Sequence, residues 1–237
     1  MGCGCSGNVK ASLPVSARKY LCKLTGYEQD DLQNGILMLD MTKNEDQEVL
    51  KNLSDMKIPK FGAIKLKNVI KEDIKLINQV AVNSINSNLY IFSLRAVQSR
   101  VPLDSRPILK LASRVTQRFT LRNCKIEKDY IAKVIEACCQ AEKVSFLNCV
   151  YTGESVFDIK TTLNFRISTL CFHNKEKKEK FQLDDIKKLA IKMQDTGLVE
   201  SLQTFSVHDP NDKVKIRAIL NDFGFGKVNI EEVSESE

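Results

Sequence analysis

The segments "FTLRNCKI" (residues 119–126) and "VSFLNCVY" (residues 144–151) carry the pattern from which the fold is predicted. Both alternate apolar and other residues, as a strand with one buried face does, and both continue with Asn-Cys. Their central apolar residues, Leu121 and Phe146, are 25 residues apart. Repetition at such an interval indicates an array of similar units, each containing a strand.

Six further segments alternate in the same way, and each of the eight contains one anchor, an apolar residue predicted to point into the core. The anchors in chain order are Leu39, Leu66, Leu94, Leu121, Phe146, Phe172, Val207 and Ile230. Their intervals are 25–28 residues as far as Phe172, and then 35 and 23. Apolar residues at helical spacing, such as Val49, Leu50 and Leu53, follow the strands. The sequence therefore predicts an α/β domain over residues 36–232, in which the short unit at 153–167 lacks a full helix.

This pattern resembles leucine-rich repeats of the ribonuclease-inhibitor type. The resemblance rests on two matches to that type's L-x-x-[CN]-x-L core, which are Leu121-x-x-Cys124-x-Ile126 and Phe146-x-x-Cys149-x-Tyr151. Val69 and Val97 stand where Cys or Asn is expected. The resemblance implies an α/β leucine-rich-repeat solenoid, with parallel strands on the concave face and helices on the convex face. The alternative is an ordinary doubly wound α/β domain, which has no reason to hold a constant interval.

The chain opens with "MGCGCSGNVK", in which Gly2 and Ser6 match the M-G-x-x-x-[ST] pattern of N-myristoylation. One myristoyl chain binds membranes only marginally, with a constant on the order of 10⁴ M⁻¹, so a second anchor is needed. Palmitoylation of Cys3 and Cys5 would supply it. The stretch resembles the dually acylated N-terminus of peripheral signalling and ciliary proteins. An unmodified disordered start and a Cys-x-Cys metal site are the alternatives, and residues 1–35 are interpreted as anchor, tether and cap.

The composition bounds the class of protein. Hydrophobic residues make up 43% of the 237 residues, and no apolar run approaches the roughly 20 residues of a membrane-spanning helix. The start lacks the apolar stretch of a secretory signal, so we expect a protein inside the cell with reduced cysteines. The net charge of +6 is spread along the chain. Without Trp and with few Tyr to stack on bases, nucleic-acid binding is disfavoured.

Four cations on the predicted concave face are the candidate partner-binding residues. They occupy outward positions on neighbouring strands, and they are Lys65, Lys67, Arg95 and Arg122. Like charges on adjacent strands repel, which an acidic protein partner would relieve. The alternative is that these side chains extend into water and the column is accidental.

Other polar residues are not predicted to form a site. His173 and His208 fall in one column, but no third metal ligand lies in register with them. Cys124 and Cys149 are predicted to be small buried residues. The basic insertion at 174–185 is interpreted as a solvated loop, with a partner or headgroup contact as the alternative, and residues 233–237 as an acidic tail.

The sequence offers little material for catalysis. It has no Walker-type phosphate loop, no HExxH and no GxSxG, so we expect no enzyme, no catalytic or metal-binding residue, no cofactor and no small-molecule substrate. The predicted function is a noncatalytic, membrane-anchored leucine-rich-repeat scaffold or adaptor. It would bind a protein partner at the cytoplasmic face of a membrane, with the cilium as one candidate location. The alternatives are a structural subunit of a large cytoskeletal or ciliary assembly, or a regulator of a small GTPase.

Overall fold

The computed structural model describes residues 36–54, 61–83, 89–97, 101–103, 105–154, 156–159, 164–173, 181–207 and 210–232. Its elements alternate between strands and helices for most of this length. In chain order they are β1 (Ile36–Asp40), α1 (Asn44–Ser54), β2 (Ala63–Val69), α2 (Asp73–Asn83), β3 (Ile91–Ala96), β4 (Val101–Pro102), α3 (Arg106–Ala112), β5 (Arg118–Arg122), β6 (Cys124–Glu127), α4 (Lys128–Ala137), β7 (Lys143–Leu147), β8 (Val150–Thr152), β9 (Thr169–His173), α5 (Leu183–Asp195), α6 (Leu198–Ser201), β10 (Thr204–Val207), α7 (Pro210–Asp222) and β11 (Asn229–Glu232).

The main sheet is parallel throughout its described part. Its strand order, β1-β2-β3-β5-β7-β9-β10-β11, follows the chain without a reversal. Strands enter it at all eight of the predicted segments. The predicted α/β class with a parallel sheet is therefore confirmed.

The predicted anchors lie side by side in this sheet. Leu66 pairs in register with Leu94, and Leu94 with Leu121. The register continues through Phe146 and Phe172 to Val207. It fails at the last strand, where Ile230 pairs with Phe205 instead of Val207. The predicted alignment of that strand is wrong by two residues.

The anchors from Leu39 to Phe172, together with Ile230, form one core with the apolar faces of the helices. Leu39, Leu94 and Leu121 are completely buried, and they belong to the same cluster as Leu50 of α1 and Ile131 of α4. The alternation that the sequence shows thus separates a buried face of the sheet from an outward one. All of the candidate cations lie on the outward face.

A left-handed asparagine lies at the carboxyl end of three strands, within β2 and directly after β5 and β7. Asn68, Asn123 and Asn148 have φ values of 55°, 57° and 52°. Asparagine tolerates this conformation better than most residues, because its short polar side chain bonds locally. The Asn123 side chain donates to Ala96 O at 3.2 Å, which ties two neighbouring turns together.

Beyond these turns the chain forms a second, smaller sheet that the sequence did not predict. Strands β4, β6 and β8 pair in parallel, for example Lys125 with Val150. In the main sheet Val69 pairs with Ala96, so Ala96 and not Val97 occupies the position predicted for Cys or Asn. Strand β3 is one residue shorter at this turn, and the register shifts between Leu66 and Val69.

Buried acids or hydroxyls cap the starts of several helices. Asp73 accepts the Ile70 N–H at 2.9 Å, and Asp185 accepts the Gln182 N–H at 2.9 Å. Ser105 precedes α3, and its hydroxyl oxygen accepts the Ile108 N–H at 3.1 Å. These bonds satisfy backbone donors that a helix cannot satisfy by itself.

The short unit predicted at 153–167 has neither helix nor strand in its described residues, which contribute Phe157, Ile159 and Ile167 to the core. Among the helices described, none is long and apolar enough to cross a bilayer.

Candidate binding site: a basic groove on the parallel sheet

Small polar residues form the floor of a groove on the outward face of the main sheet. Ser93 pairs in register with Thr120, and Thr120 with Ser145. Ser145 is 2% exposed and Thr120 is 9% exposed. Because these side chains are short, the longer residues around them rise above the floor and enclose about 320 Å³.

The structure brings the four predicted cations together around this floor. Lys65, Lys67, Arg95 and Arg122 all line the groove. Lys65 lies next to Ser93 in register, and Arg95 is the register partner of Arg122. Lys67 and Arg95 are exposed, whereas Lys65 and Arg122 are half-buried. Positive charge therefore spans three neighbouring strands on one face.

Two further cations line the same groove, and sequence reasoning missed them. Arg118 and Lys143 are register partners at the starts of β5 and β7. Arg118 lies four residues before Arg122 on the same strand, so strand alternation places both on one face. Arg118 and Lys143 lie in a third outward column of the sheet, beside the two columns that contain the predicted cations, and this column is visible in the sequence.

An acidic residue lies at one edge of this surface. Asp40 of β1 pairs in register with Lys67. Its Oδ1 accepts hydrogen bonds from the Asn68 amide at 2.8 Å and the Thr42 hydroxyl at 2.7 Å. These bonds, the Asn68 bond first, lower the pKa of Asp40 from 3.8 to about 2. Asp40 is thus an anion at every physiological pH.

Strands β9, β10 and β11, at the far end of the sheet, contain none of the candidate cations. His173 is the register partner of Leu147 and is 5% exposed. Glu231 pairs with Ser206, which follows from the two-residue shift of the last strand. His208 itself lies outside the described residues. Within the part of the chain that the structure describes, no three His, Cys, Asp or Glu side chains could hold one metal ion.

Two buried thiols lie behind the groove rather than in it. Cys149 Sγ approaches Leu121 O at 3.5 Å, and both Cys124 and Cys149 are fully buried. The neighbouring Cys149 and burial raise the pKa of Cys124 well above its ordinary value. A protonated thiol is a poor nucleophile. Because both side chains are fully buried, Cys124 and Cys149 pack as small core residues at the turns.

The predicted lipidation residues Gly2, Cys3 and Cys5 lie outside the described residues, and so do positions 174–180 of the predicted insertion. A comparison with models of known protein families gave no match, and a comparison with curated protein sequences gave none either.

Proposed function

We propose that this protein is a noncatalytic adaptor that binds an acidic protein partner in the basic groove. The observation that carries this proposal is the groove itself, in which six cations from β2, β3, β5 and β7 surround a floor of hydroxyl-bearing residues. Carboxylates paired with Arg and Lys make charge-assisted hydrogen bonds, which are stronger than neutral ones. An acidic partner would also relieve the repulsion among the cations.

The shape of the groove favours an extended segment of a protein. Adjacent strands are about 4.8 Å apart, so the cations extend about 14 Å across the four strands. A partner lying across the strands could meet one cation after another. Arg95 and Arg118 are exposed, and they present planar guanidinium groups that can bind a carboxylate through two hydrogen bonds.

We also propose that the α/β fold is a leucine-rich-repeat-like solenoid. Support comes from the strand order, which lacks the reversal of a doubly wound sheet, and from the left-handed asparagines that recur at the strand ends. In such an array each unit completes its neighbour's core, and the sheet offers a continuous binding face.

The membrane part of the proposal rests on the sequence of residues 1–10. Myristoylation at Gly2 with palmitoylation at Cys3 and Cys5 would hold the adaptor at the cytoplasmic face of a membrane. Gly2→Ala is expected to move the protein from the membrane pellet to the soluble fraction, with Gly7→Ala as the matched control. Equal membrane fractions for Gly2→Ala and the unaltered protein would contradict the anchor.

The proposed partner site is tested by reversing the charge of two lysines in the groove and, as a control, of two lysines outside it. The variant Lys65→Glu/Lys67→Glu changes two groove cations, and the control Lys75→Glu/Lys110→Glu changes two exposed helix lysines by the same net charge. Fluorescence anisotropy would measure the affinity for an acidic peptide of six glutamates. We expect about tenfold weaker binding for the groove variant alone, as the loss of a charge-assisted bond implies. An equal loss in both variants would show that only net charge matters, and the groove proposal would be wrong.

A further inference from the structure

The floor of the groove holds a buried hydroxyl without a hydrogen-bond partner. Ser145 Oγ is shielded from solvent and has no partner among the described residues. Buried polar groups are nearly always hydrogen-bonded, and an unsatisfied one costs free energy. Ser145 also lines the groove. An oxygen-rich ligand in the groove would supply the missing partner.

Cations flank this hydroxyl on its own strand and on the neighbouring one. Lys143 lies two residues before Ser145 on β7, and strand alternation puts both on the outward face. On β5, Thr120 is the register partner of Ser145, with Arg118 before it and Arg122 after it on the same face. Two hydroxyls are thus surrounded by three cations.

We propose that this part of the groove binds the phosphoryl group of a phosphoserine or phosphothreonine in an acidic protein segment. The inference rests on the proposed function, because it specifies the chemistry of the same partner. A phosphoryl group carries close to two negative charges and several strong acceptor oxygens. Arg118 and Arg122 can donate paired hydrogen bonds to it, Lys143 adds a third charge, and the hydroxyls of Ser145 and Thr120 donate from below.

The lining of the groove favours a peptide over other phosphate-bearing molecules. Among the described residues that line it, none is aromatic, whereas single-stranded nucleic acids bind through stacking on aromatic rings. None of the exposed large apolar side chains of the described chain lines the groove, and the two nearest along the chain, Ile70 and Val97, lie at the turns after β2 and β3. A membrane-binding surface would combine basic residues with exposed apolar ones.

The test compares two peptides of equal charge. One has a phosphoserine between two blocks of three glutamates, and in the other two glutamates replace the phosphoserine. Isothermal titration calorimetry on the entire 237-residue chain at about pH 7.5 is expected to give about tenfold tighter binding of the phosphopeptide. At about pH 5.5 this preference is expected to fall, because the second phosphate pKa is near 6 and the phosphoryl group loses charge.

Variants of the two hydroxyl residues on the floor test whether the preference for the phosphopeptide arises at this site. Ser145→Ala and Thr120→Val are each expected to weaken the binding of the phosphopeptide about fivefold more than they weaken the binding of the glutamate peptide. The matched control is Ser206→Ala, because Ser206 is a buried serine of the same column on β10, beside Glu231. Circular dichroism would confirm that each variant is folded. Ser145→Ala removes a hydroxyl without a partner, so we expect it to fold.

Three results would overturn the inference, and they differ in what they leave standing. Equal binding of the two peptides would exclude a phosphoryl site but keep the acidic partner. A phosphopeptide preference that Ser145→Ala and Ser206→Ala reduce equally would exclude this location. Binding only to vesicles containing a phosphoinositide, with neither peptide bound, would assign the groove to a membrane and contradict the proposed function as well.

Discussion

Arg95 and Arg122 are register partners on adjacent parallel strands, so two arginines are neighbours on the outward face of the sheet. Like charges in this arrangement destabilise a sheet. A neutral polar residue at either position would avoid this repulsion. The pair therefore places two positive charges in the proposed binding groove at some cost in stability.

Replacing Arg95 by glutamine should stabilise the protein slightly. Removing one member of a like-charged pair is expected to raise the free energy of unfolding by about 0.3 kcal/mol at low salt. Urea unfolding would measure it. The gain should vanish near 1 M salt, where charges beyond about 3 Å are screened. Lys75→Gln, at an exposed helix position, is the control and should show no such gain. A loss of stability in Arg95→Gln would contradict the repulsion.

The left-handed turn at Asn123 predicts different costs for two substitutions. Asn123→Gly removes the hydrogen bond to Ala96 O but accepts a positive φ, so we expect a loss of about 1 kcal/mol. Asn123→Ala adds the strain of a left-handed alanine and should cost about 2 kcal/mol in total. Chemical denaturation separates them. Equal losses would show that the backbone conformation carries no penalty here.

The hydrogen bonds of Asp40 predict a pH dependence of stability. Its folded-state pKa of about 2 lies below the ordinary value of 3.8, so the carboxylate stabilises the fold above about pH 4. This contribution is lost as the pH falls from about 4 to about 2. Asn68→Gly keeps the backbone conformation and removes the largest cause, so the pKa should rise toward 3.8.

Carbon-detected NMR of the Asp40 carboxyl group would measure this pKa. Thr42→Val is the graded control, because the Thr42 bond lowers the pKa less than the Asn68 bond does. We expect Asn68→Gly to shift the pKa further than Thr42→Val. A pKa near 3.8 in the unaltered protein would refute the account.

Ser105 makes hydrogen bonds to three parts of the chain, and replacing its side chain should lower the free energy of unfolding. Its oxygen caps α3, its hydroxyl donates to Asn78 Oδ1 at 2.5 Å, and its carbonyl accepts the Tyr130 hydroxyl at 3.0 Å. Ser105→Ala is expected to destabilise the protein by about 1–2 kcal/mol in thermal or urea unfolding. Ser113→Ala, at the exposed end of the same helix, should change stability by less than about 0.5 kcal/mol. A loss in Ser105→Ala as small as the loss in Ser113→Ala would mean that the cap contributes nothing.

Strand alternation explains both the success and the failure of the predicted register. From Leu39 to Val207 one apolar residue per segment marks the buried face, and the structure aligns those residues. In the last segment Val228 and Ile230 are both buried. A shift of two residues preserves alternation, so the pattern alone could not choose between two alignments that place Ile230 differently.

Strand alternation also explains why the basic groove could be predicted only in part. Lys65, Lys67, Arg95 and Arg122 followed from their positions beside the anchors, whereas Arg118 and its partner at the start of β7 required a third column to be read. The second sheet could not be predicted, because strands of two to four residues are too short to show a period. The unpartnered hydroxyl of Ser145 depends on three-dimensional packing and has no sequence signal.

The monotonic strand order also bears on how the chain is made. Each strand of the main sheet pairs with the strand before it, and none has to be inserted between two that are already in place. On the ribosome, a finished strand could therefore dock as soon as it emerges, without waiting for residues still to be translated. In a nascent chain of this kind, the newest strand would be the edge that the next strand pairs with.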